Sequence, residues 1–195
     1  MKAYPTRYPP RLLLVLPLEL PSATIYIWKP LLELARSGQI VLNKALESQV
    51  TTTLLHSSDL VMFCRNNEPS NDWILHECLA QNIPTTYDLD DNFWEVPLDL
   101  YYARHHRAPE RIRMVEHYLK HVRMVRVYSQ FLQARVQEFN PSVYLANPCI
   151  DIRLVPNQAL PPKDQRIRIT YATGRGGDDA LLELFSEDLE NLFAA

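Results

Sequence analysis

Three carboxylates lie within four residues of one another, at Asp88, Asp90 and Asp91. They follow a short β-prone run at 85–87 and precede two aromatic residues. Carboxylates this close repel one another and are costly to bury unless a cation, a proton or backbone N–H groups compensate their charge. Because ligands usually bind beyond the carboxyl ends of strands in α/β sheets, the segment is a candidate functional site. A solvated acidic turn is the alternative.

A second candidate site lies near the end of the sequence, where three of the four glycines fall at Gly174, Gly176 and Gly177. They separate a predicted strand from a predicted helix, and Arg175 adds a cation. Backbone N–H groups in such a turn can hold a diphosphate at the start of the helix. The spacing is neither a Walker A loop nor a full dinucleotide fingerprint, and the two aspartates that follow can cap the helix themselves. A plain turn between strand and helix is therefore the alternative.

Histidines and basic residues give a weaker signal. His105 and His106 form the only adjacent histidine pair, in a basic loop beyond the acidic segment, where they can contact an acceptor or act as a base. The other four histidines are dispersed along the sequence and are interpreted as structural or solvated: His56, His76, His117 and His121. Further basic residues form either a solvated helix face or a rim for phosphate or anionic lipid: Arg104, Arg107, Arg111, Arg113, Lys120, Arg123 and Arg126.

Composition limits the class of protein. The 195 residues are 47% hydrophobic and 22% charged, as in soluble globular proteins, and the net charge of −3 gives no electrostatic footprint for nucleic acid. Cys64, Cys78 and Cys149 lack metal-ligand spacing, which predicts buried, reduced thiols and no metal site. The apolar run at 12–16 is too short for a signal peptide or a transmembrane segment. We expect a cytoplasmic protein, or one peripheral to the membrane.

Strand-like and helix-like stretches alternate along the chain. This order predicts an α/β fold, a Rossmann-like parallel sheet with helices on both faces. The predicted strands are 11–16, 39–42, 60–64, the acidic strand from 85, 124–128 and 143–145. Three predicted helices span 24–36, which ends at Ser37-Gly38, 48–56 and 109–122. A fourth is capped by Ser70 and ends at 82–84, and a fifth is capped by Ser129 and ends at Asn140-Pro141.

The composition changes after the last of these strands. Prolines make 151–166 a predicted linker between a domain at 1–150 and a new strand–helix unit at 167–195. One strand and one helix cannot bury their apolar faces alone. We therefore expect 167–195 to be the truncated start of a second Rossmann-like domain.

Five segments together resemble the B-type glycosyltransferases, which have two Rossmann-like domains and use nucleotide sugars. The segment at 83–97 is similar to the family pattern P-hhh-D-h-D-D-hh-x-h-P, where h is hydrophobic, and it is the most specific of the five. The other four follow the order and spacing of the family. Residues 60–65 resemble a strand ending in a basic residue, and 127–132 resemble a V-x-S-x-x-L step. Residues 143–151 resemble an hhxN-x-h-D passage, and 167–174 resemble the first donor-domain strand.

The resemblance implies that the first domain receives the acceptor, a glycan, lipid or protein, and that the second binds the nucleotide sugar as donor substrate, without a cofactor. Asp88, Asp90 and Asp91 would face or brace the acceptor side of the cleft, with His105 and His106 as further candidates. The loop at 174–177 would lie near the donor diphosphate. Which residues catalyse transfer is left open.

The sequence departs from the family in two places. Gly176-Gly177 stands where members often carry a polar pair that includes histidine, and the donor-domain segment with paired glutamates has no counterpart before Ala195. The transferase is therefore expected to be incomplete in this chain. A partner chain that completes the donor domain, or a non-catalytic acceptor-side domain, accounts for the same segments.

Two other enzyme classes share part of the acidic motif. The stretch at 88–94 resembles the first motif of haloacid-dehalogenase-type phosphatases, in which Asp88 would be the nucleophile, Asp90 the acid and base, and Mg²⁺ would offset their charge. Asn92 stands where threonine is usual there. Asp88-Leu89-Asp90 also meets the D-x-D pattern of A-type glycosyltransferases, although their nucleotide binds at the first strands, where this chain has no glycine.

Overall fold

The computed structural model describes residues 9–98 and 102–147, which lie within the unit Met1–Ile152. Its strands are β1 (Arg11–Leu16), β2 (Val41–Leu46), β3 (Leu60–Cys64), β4 (Thr85–Leu89), β5 (Met124–Val127) and β6 (Val143–Leu145). They form one sheet in the order β2-β1-β3-β4-β5-β6, with every neighbouring pair parallel. The predicted α/β class with a parallel sheet is confirmed.

Helices connect these strands. They are α1 (Pro21–Ala23), a π-helical turn (Thr24–Trp28), α2 (Lys29–Arg36), α3 (Thr52–His56), α4 (Trp73–Ala80), α5 (Ala103–His106), α6 (Pro109–His121) and α7 (Gln130–Gln137). Short 3₁₀ turns lie at Glu47–Gln49, Pro69–Asn71 and Phe93–Glu95.

The two faces of the sheet pack against different helices. Leu13 and Val15 belong to a core that includes buried residues of α3, α4, α6 and α7. Leu14 and Leu16 belong to a second core, on the opposite face, with Ile27 of the π-helical turn. Because the central strands are covered on both faces, they read as almost continuous apolar runs. The prediction of helices on both faces is confirmed.

Several predicted boundaries are wrong. The second strand runs over Val41–Leu46 instead of 39–42, because it pairs with β1 along its whole length and this pairing includes polar residues such as Asn43. The first helical segment starts at Pro21, where proline suits the first helical position, and passes through a π-helical turn. The helix predicted at 48–56 is split into a 3₁₀ turn and α3 by extended backbone at Val50 and Thr51.

Three predicted helix signals have different outcomes. Gly38 ends the α2 segment with a φ of 73°, a conformation that glycine adopts without strain. The hydroxyl of Ser129 accepts a hydrogen bond from the backbone N–H of Leu132 at 3.1 Å and caps α7. Ser70, by contrast, does not cap α4, because it lies within a 3₁₀ turn that begins at Pro69. Asp72 immediately precedes α4 instead, and its side chain does not cap the helix.

Some predictions lie outside the described residues. They are the linker at 151–166, the strand–helix unit at 167–195 with its glycine loop, and the burial of Cys149. Cys64 and Cys78 are buried free thiols, as predicted. No helix within residues 9–98 and 102–147 is long and apolar enough to cross a membrane.

Candidate functional site

Asp88 lies in β4 and is held by one side chain from the neighbouring strand and one from the residue that follows that strand. Arg126 of β5 is its direct cross-strand partner, and its Nε donates to Asp88 Oδ2. The hydroxyl of Tyr128 donates to the same carboxylate, 3.1 Å from Oδ2. Arg126 Nη2 also donates to the carbonyl of Tyr26, at 3.4 Å. The carboxylate is 2% exposed and engaged on both oxygens, which leaves little room for a role as nucleophile.

Arg126 corrects part of the sequence interpretation. The sequence places it among basic residues of a solvated face or rim, but its side chain is largely buried. Its guanidinium also lies 5.3 Å from the centre of the Tyr128 ring. Arg126 therefore supplies the compensating cation that Asp88 requires.

The other two aspartates share a second arginine. Arg65, the first residue after β3, donates through Nε and Nη2 to the two oxygens of Asp90, and its Nη1 lies 3.0 Å from Asp91 Oδ2. Burial opposes the charge of this guanidinium, but the two carboxylates outweigh it and raise the pKa of Arg65. The φ of Arg65 is 58°, a conformation that side-chain-bearing residues seldom adopt. Such backbone strain is concentrated at functional sites.

Burial also changes the protonation of the acidic segment. It raises the pKa of Asp88 from 3.8 to about 6, while Arg126 opposes this rise and Asp90 adds to it. Asp88 is therefore ionised at neutral pH and carries one proton in mildly acidic solution.

A cavity of about 510 Å³ opens beside this segment, at the carboxyl ends of the first four strands. Its walls come from the residues after β1 (Pro17, Leu18, Leu20), after β2 (Glu47, Ser48), after β3 (Arg65, Asn67, Glu68, Asn71), after β4 (Phe93), from α5 (His105, His106) and from α6 (Arg111). The chain passes from β1 to β2 on one side of it and then returns to β3 on the other side, so the strand order reverses beside β1. Ligands of doubly wound sheets bind at such a reversal of strand order.

A polar network centred on Glu47 contributes Glu47 and Asn71 to the cavity lining, and the sequence analysis missed it. Glu47 is 5% exposed and accepts hydrogen bonds from Asn66 Nδ2 at 2.7 Å and Asn71 Nδ2 at 2.8 Å. Burial raises the pKa of Glu47, and these two bonds oppose the rise. The available signal was Asn66-Asn67-Glu68 directly after the apolar run of β3, since polar residues at that point of a buried strand face the ligand edge.

Arg111 of α6 also lines the cavity. Its Nη1 donates to Asn67 Oδ1 at 3.0 Å, and its Nη2 donates to Glu68. Both arginines of the cavity are thus paired with carboxylates, Arg65 with Asp90 and Asp91 and Arg111 with Glu68.

The predicted histidine pair reaches the cavity. His106 stacks on Phe93 with ring centres 5.1 Å apart, and His105 lies 5.2 Å from His106. His106 Nδ1 is buried and makes no hydrogen bond within the described residues. Burial, followed by the nearby His105, lowers the pKa of His106, so its imidazole is neutral at pH 7. A neutral imidazole can accept a proton or a hydrogen bond from a hydroxyl.

The predicted site residues thus divide into two groups. His105 and His106 line the cavity, whereas Asp88, Asp90 and Asp91 do not belong to its lining. Asp90 and Asp91 hold Arg65, which does line the cavity, whereas Asp88 pairs with Arg126, which does not. The glycine-loop candidates Gly174, Arg175, Gly176 and Gly177 lie outside the described residues.

Three of the other four histidines form a chain of ring contacts. His76 and His117 have ring centres 5.3 Å apart, and His117 and His121 are 4.3 Å apart. These three lie close together because α4 and α6 contribute to the same core on one face of the sheet, although His76 and His117 are 41 positions apart in the sequence.

No protein-family model matches this chain, and no curated protein matches it.

Proposed function

We propose that residues 9–147 form the acceptor-side lobe of a nucleotide-sugar glycosyltransferase of the B type. The sequence resemblance at 83–97 motivates the proposal, and the parallel sheet agrees with it. The observation that carries it is the cavity at the carboxyl ends of β1 to β4, which His105 and His106 line. In a two-domain transferase this edge of the first sheet is the side from which an acceptor is presented.

The charges of the cavity favour a neutral, hydroxyl-rich acceptor. Its two arginines are already paired with carboxylates, and Glu47 adds a further buried acid. An anionic headgroup or phosphate would have to compete with those carboxylates for each guanidinium. Hydroxyl groups can instead use the free hydrogen-bonding capacity of amides, carboxylates and imidazoles. Among the acceptor classes considered, a neutral glycan therefore fits best.

His106 is the proposed contact of the reacting hydroxyl. Its ring is fixed by stacking on Phe93, its Nδ1 lacks a hydrogen-bond partner within the described residues, and its neutral form predominates at pH 7. These are the properties required of a side chain that orients a hydroxyl or takes its proton. Asp90 and Asp91 act indirectly, through Arg65, which lines the cavity.

The donor side of the proposal rests on the glycine loop. Gly174, Gly176 and Gly177 would let backbone N–H groups approach the diphosphate of a nucleotide sugar, with Arg175 as a cation beside it. Titration of nucleoside diphosphates into the whole chain and into its Arg175→Ala variant tests this part separately. We expect weaker binding to the variant, and equal binding would contradict the assignment.

The acceptor side is tested by screening the whole chain on an array of neutral and anionic glycans. The key variant is His106→Phe, which keeps an aromatic ring on Phe93 but removes both ring nitrogens. Losing one hydrogen bond in a buried site predicts about tenfold weaker binding of the preferred glycan. His56→Gln is the matched control, because His56 is exposed and does not belong to the cavity lining.

Two results would contradict this function. One is selective retention of anionic glycans or of none. The other is retention of a neutral glycan with the same affinity by wild type and His106→Phe.

A further inference from the structure

A group of metal-ligand side chains lies between α4 and α6, apart from the cavity lining. Asp72 is the residue that precedes α4, His76 lies one turn later on that helix, and His117 projects from α6. One ligand atom from each of the three lies within 4.8 Å of the others. The sequence shows the pattern only as Asp72 and His76 at i and i+4, since His117 comes from another helix.

One distance within the group matches that of two ligands around a small cation. His76 Nε2 lies 3.0 Å from Asp72 Oδ2, and His117 Nε2 lies 3.4 Å from Asp72 Oδ1. Two ligand atoms bound to a tetrahedral zinc ion at their usual bond lengths are about 3.3 Å apart. The pair formed by Asp72 and His117 therefore has the separation of two zinc ligands.

The two atoms of this pair also lack hydrogen bonds within the described residues. Asp72 Oδ1 and His117 Nε2 are both buried, and neither makes a hydrogen bond within residues 9–98 and 102–147. Buried polar atoms in folded proteins almost always have a partner, and the exceptions often mark a bound ion or water. A cation placed between these two atoms would satisfy both.

We propose that Asp72, His76 and His117 bind one zinc ion. Two imidazole nitrogens and one carboxylate oxygen are ligands that zinc accepts, whereas Mg²⁺ and Ca²⁺ prefer oxygen ligands throughout. Three protein ligands leave a fourth position for water. The ion joins α4 to α6 and thereby fixes two elements that flank the cavity, since Asn71 precedes Asp72 and Arg111 belongs to α6. The proposal is independent of the acceptor that the cavity binds.

The test is calorimetric titration of Zn²⁺ into the untagged, metal-free whole chain at neutral pH. We expect one zinc ion per chain, and affinity lowered at least about tenfold in His76→Gln and in His117→Gln, as is typical when metal-site residues are lost. His56→Gln is the matched control, because His56 also pairs with a carboxylate, Glu77 of α4, but lies outside the group. Its affinity for zinc should equal that of wild type.

The His76→Gln variant separates the loss of a metal ligand from a loss of folding. The side chain of His76 is 61% exposed, so its replacement should leave the far-ultraviolet circular dichroism spectrum unchanged. Zinc binding that is equally tight in wild type, His76→Gln and His117→Gln would overturn the proposal, as would the absence of zinc binding. Displacement of zinc by an equal concentration of Mg²⁺ would overturn the assignment of the metal.

Discussion

At the scale of single residues, the acidic segment is organised by two arginines. Arg126 lies beside Asp88 on the neighbouring strand, and Arg65 holds Asp90 and Asp91 from the end of β3. The sequence predicts that such a cluster needs compensating charge. It does not identify the partners, which are 38 residues after Asp88 and 25 residues before Asp90. Only the pairing of β4 with β3 and β5 brings them together.

The raised pKa of Asp88 predicts a change of stability with pH. Between its ordinary value of 3.8 and its folded value of about 6, the folded protein keeps a proton that the unfolded chain releases. The stability contributed by Asp88 therefore falls as the pH rises through this window and is constant above it. Compared with Asp88→Asn, which has no proton to lose, the wild type should lose about 2–3 kcal/mol of unfolding free energy between about pH 4 and pH 7.

Urea unfolding of both proteins across this range measures the difference directly. A wild type that gains stability over Asp88→Asn as the pH rises would mean that attraction to Arg126 outweighs burial, and would contradict the expected direction.

The backbone conformation of Arg65 leads to a second prediction, about the stability of two variants at this position. Arg65→Gly and Arg65→Ala both lose the ion pairs with Asp90 and Asp91, so the difference between them reports the backbone alone. Because φ is 58° here, glycine should be the more stable replacement by about 0.5–1 kcal/mol, after allowance for its greater freedom in the unfolded chain.

Thermal unfolding of the two variants checks this order. Phe131 is the control position, because it is exposed in the first turn of α7, where alanine should be more stable than glycine. The same preference for alanine at position 65 would contradict the account of Arg65.

At the scale of elements, the sequence predicts the bounds of buried apolar strands, but it misplaces bounds that are set by pairing with a neighbouring strand. β1 and β3 are predicted with their observed bounds, because apolar runs of this length are typical of buried parallel strands. The observed β2 extends beyond the predicted strand into polar residues, because its bounds follow the pairing with β1 rather than its own composition. The cavity walls come from loops after four different strands, and their convergence depends on strand order, which composition does not specify.

Two serines test the account of helix capping. Ser129→Ala removes the hydroxyl that accepts from the Leu132 N–H and should lower the unfolding free energy by about 1 kcal/mol. Ser70→Ala is the matched control, since Ser70 lies in a 3₁₀ turn and does not cap α4, and its effect should stay within about 0.5 kcal/mol.

Chemical unfolding of the two variants in parallel gives the comparison. Equal losses at both positions would contradict the distinction between a capping serine and a serine within a turn.

At the scale of the molecule, one edge of the sheet and one pair of helices carry different proposed sites. The cavity at the carboxyl ends of β1 to β4 is proposed to take a neutral glycan, and the group between α4 and α6 is proposed to bind zinc. Histidines mark both sites. Of the six in the chain, His105 and His106 line the cavity, His76 and His117 belong to the metal group, and the remaining two belong to neither set.

This distribution makes histidine-detected nuclear magnetic resonance the most direct test of the acceptor-lobe proposal. The whole chain is labelled with ¹³C-histidine, its six ring signals are assigned with single His→Gln variants, and the neutral glycans retained on the array are titrated in. We predict that the signals of His105 and His106 move and that the other four stay in place. Unmoved signals for His105 and His106 at saturating glycan would contradict the account.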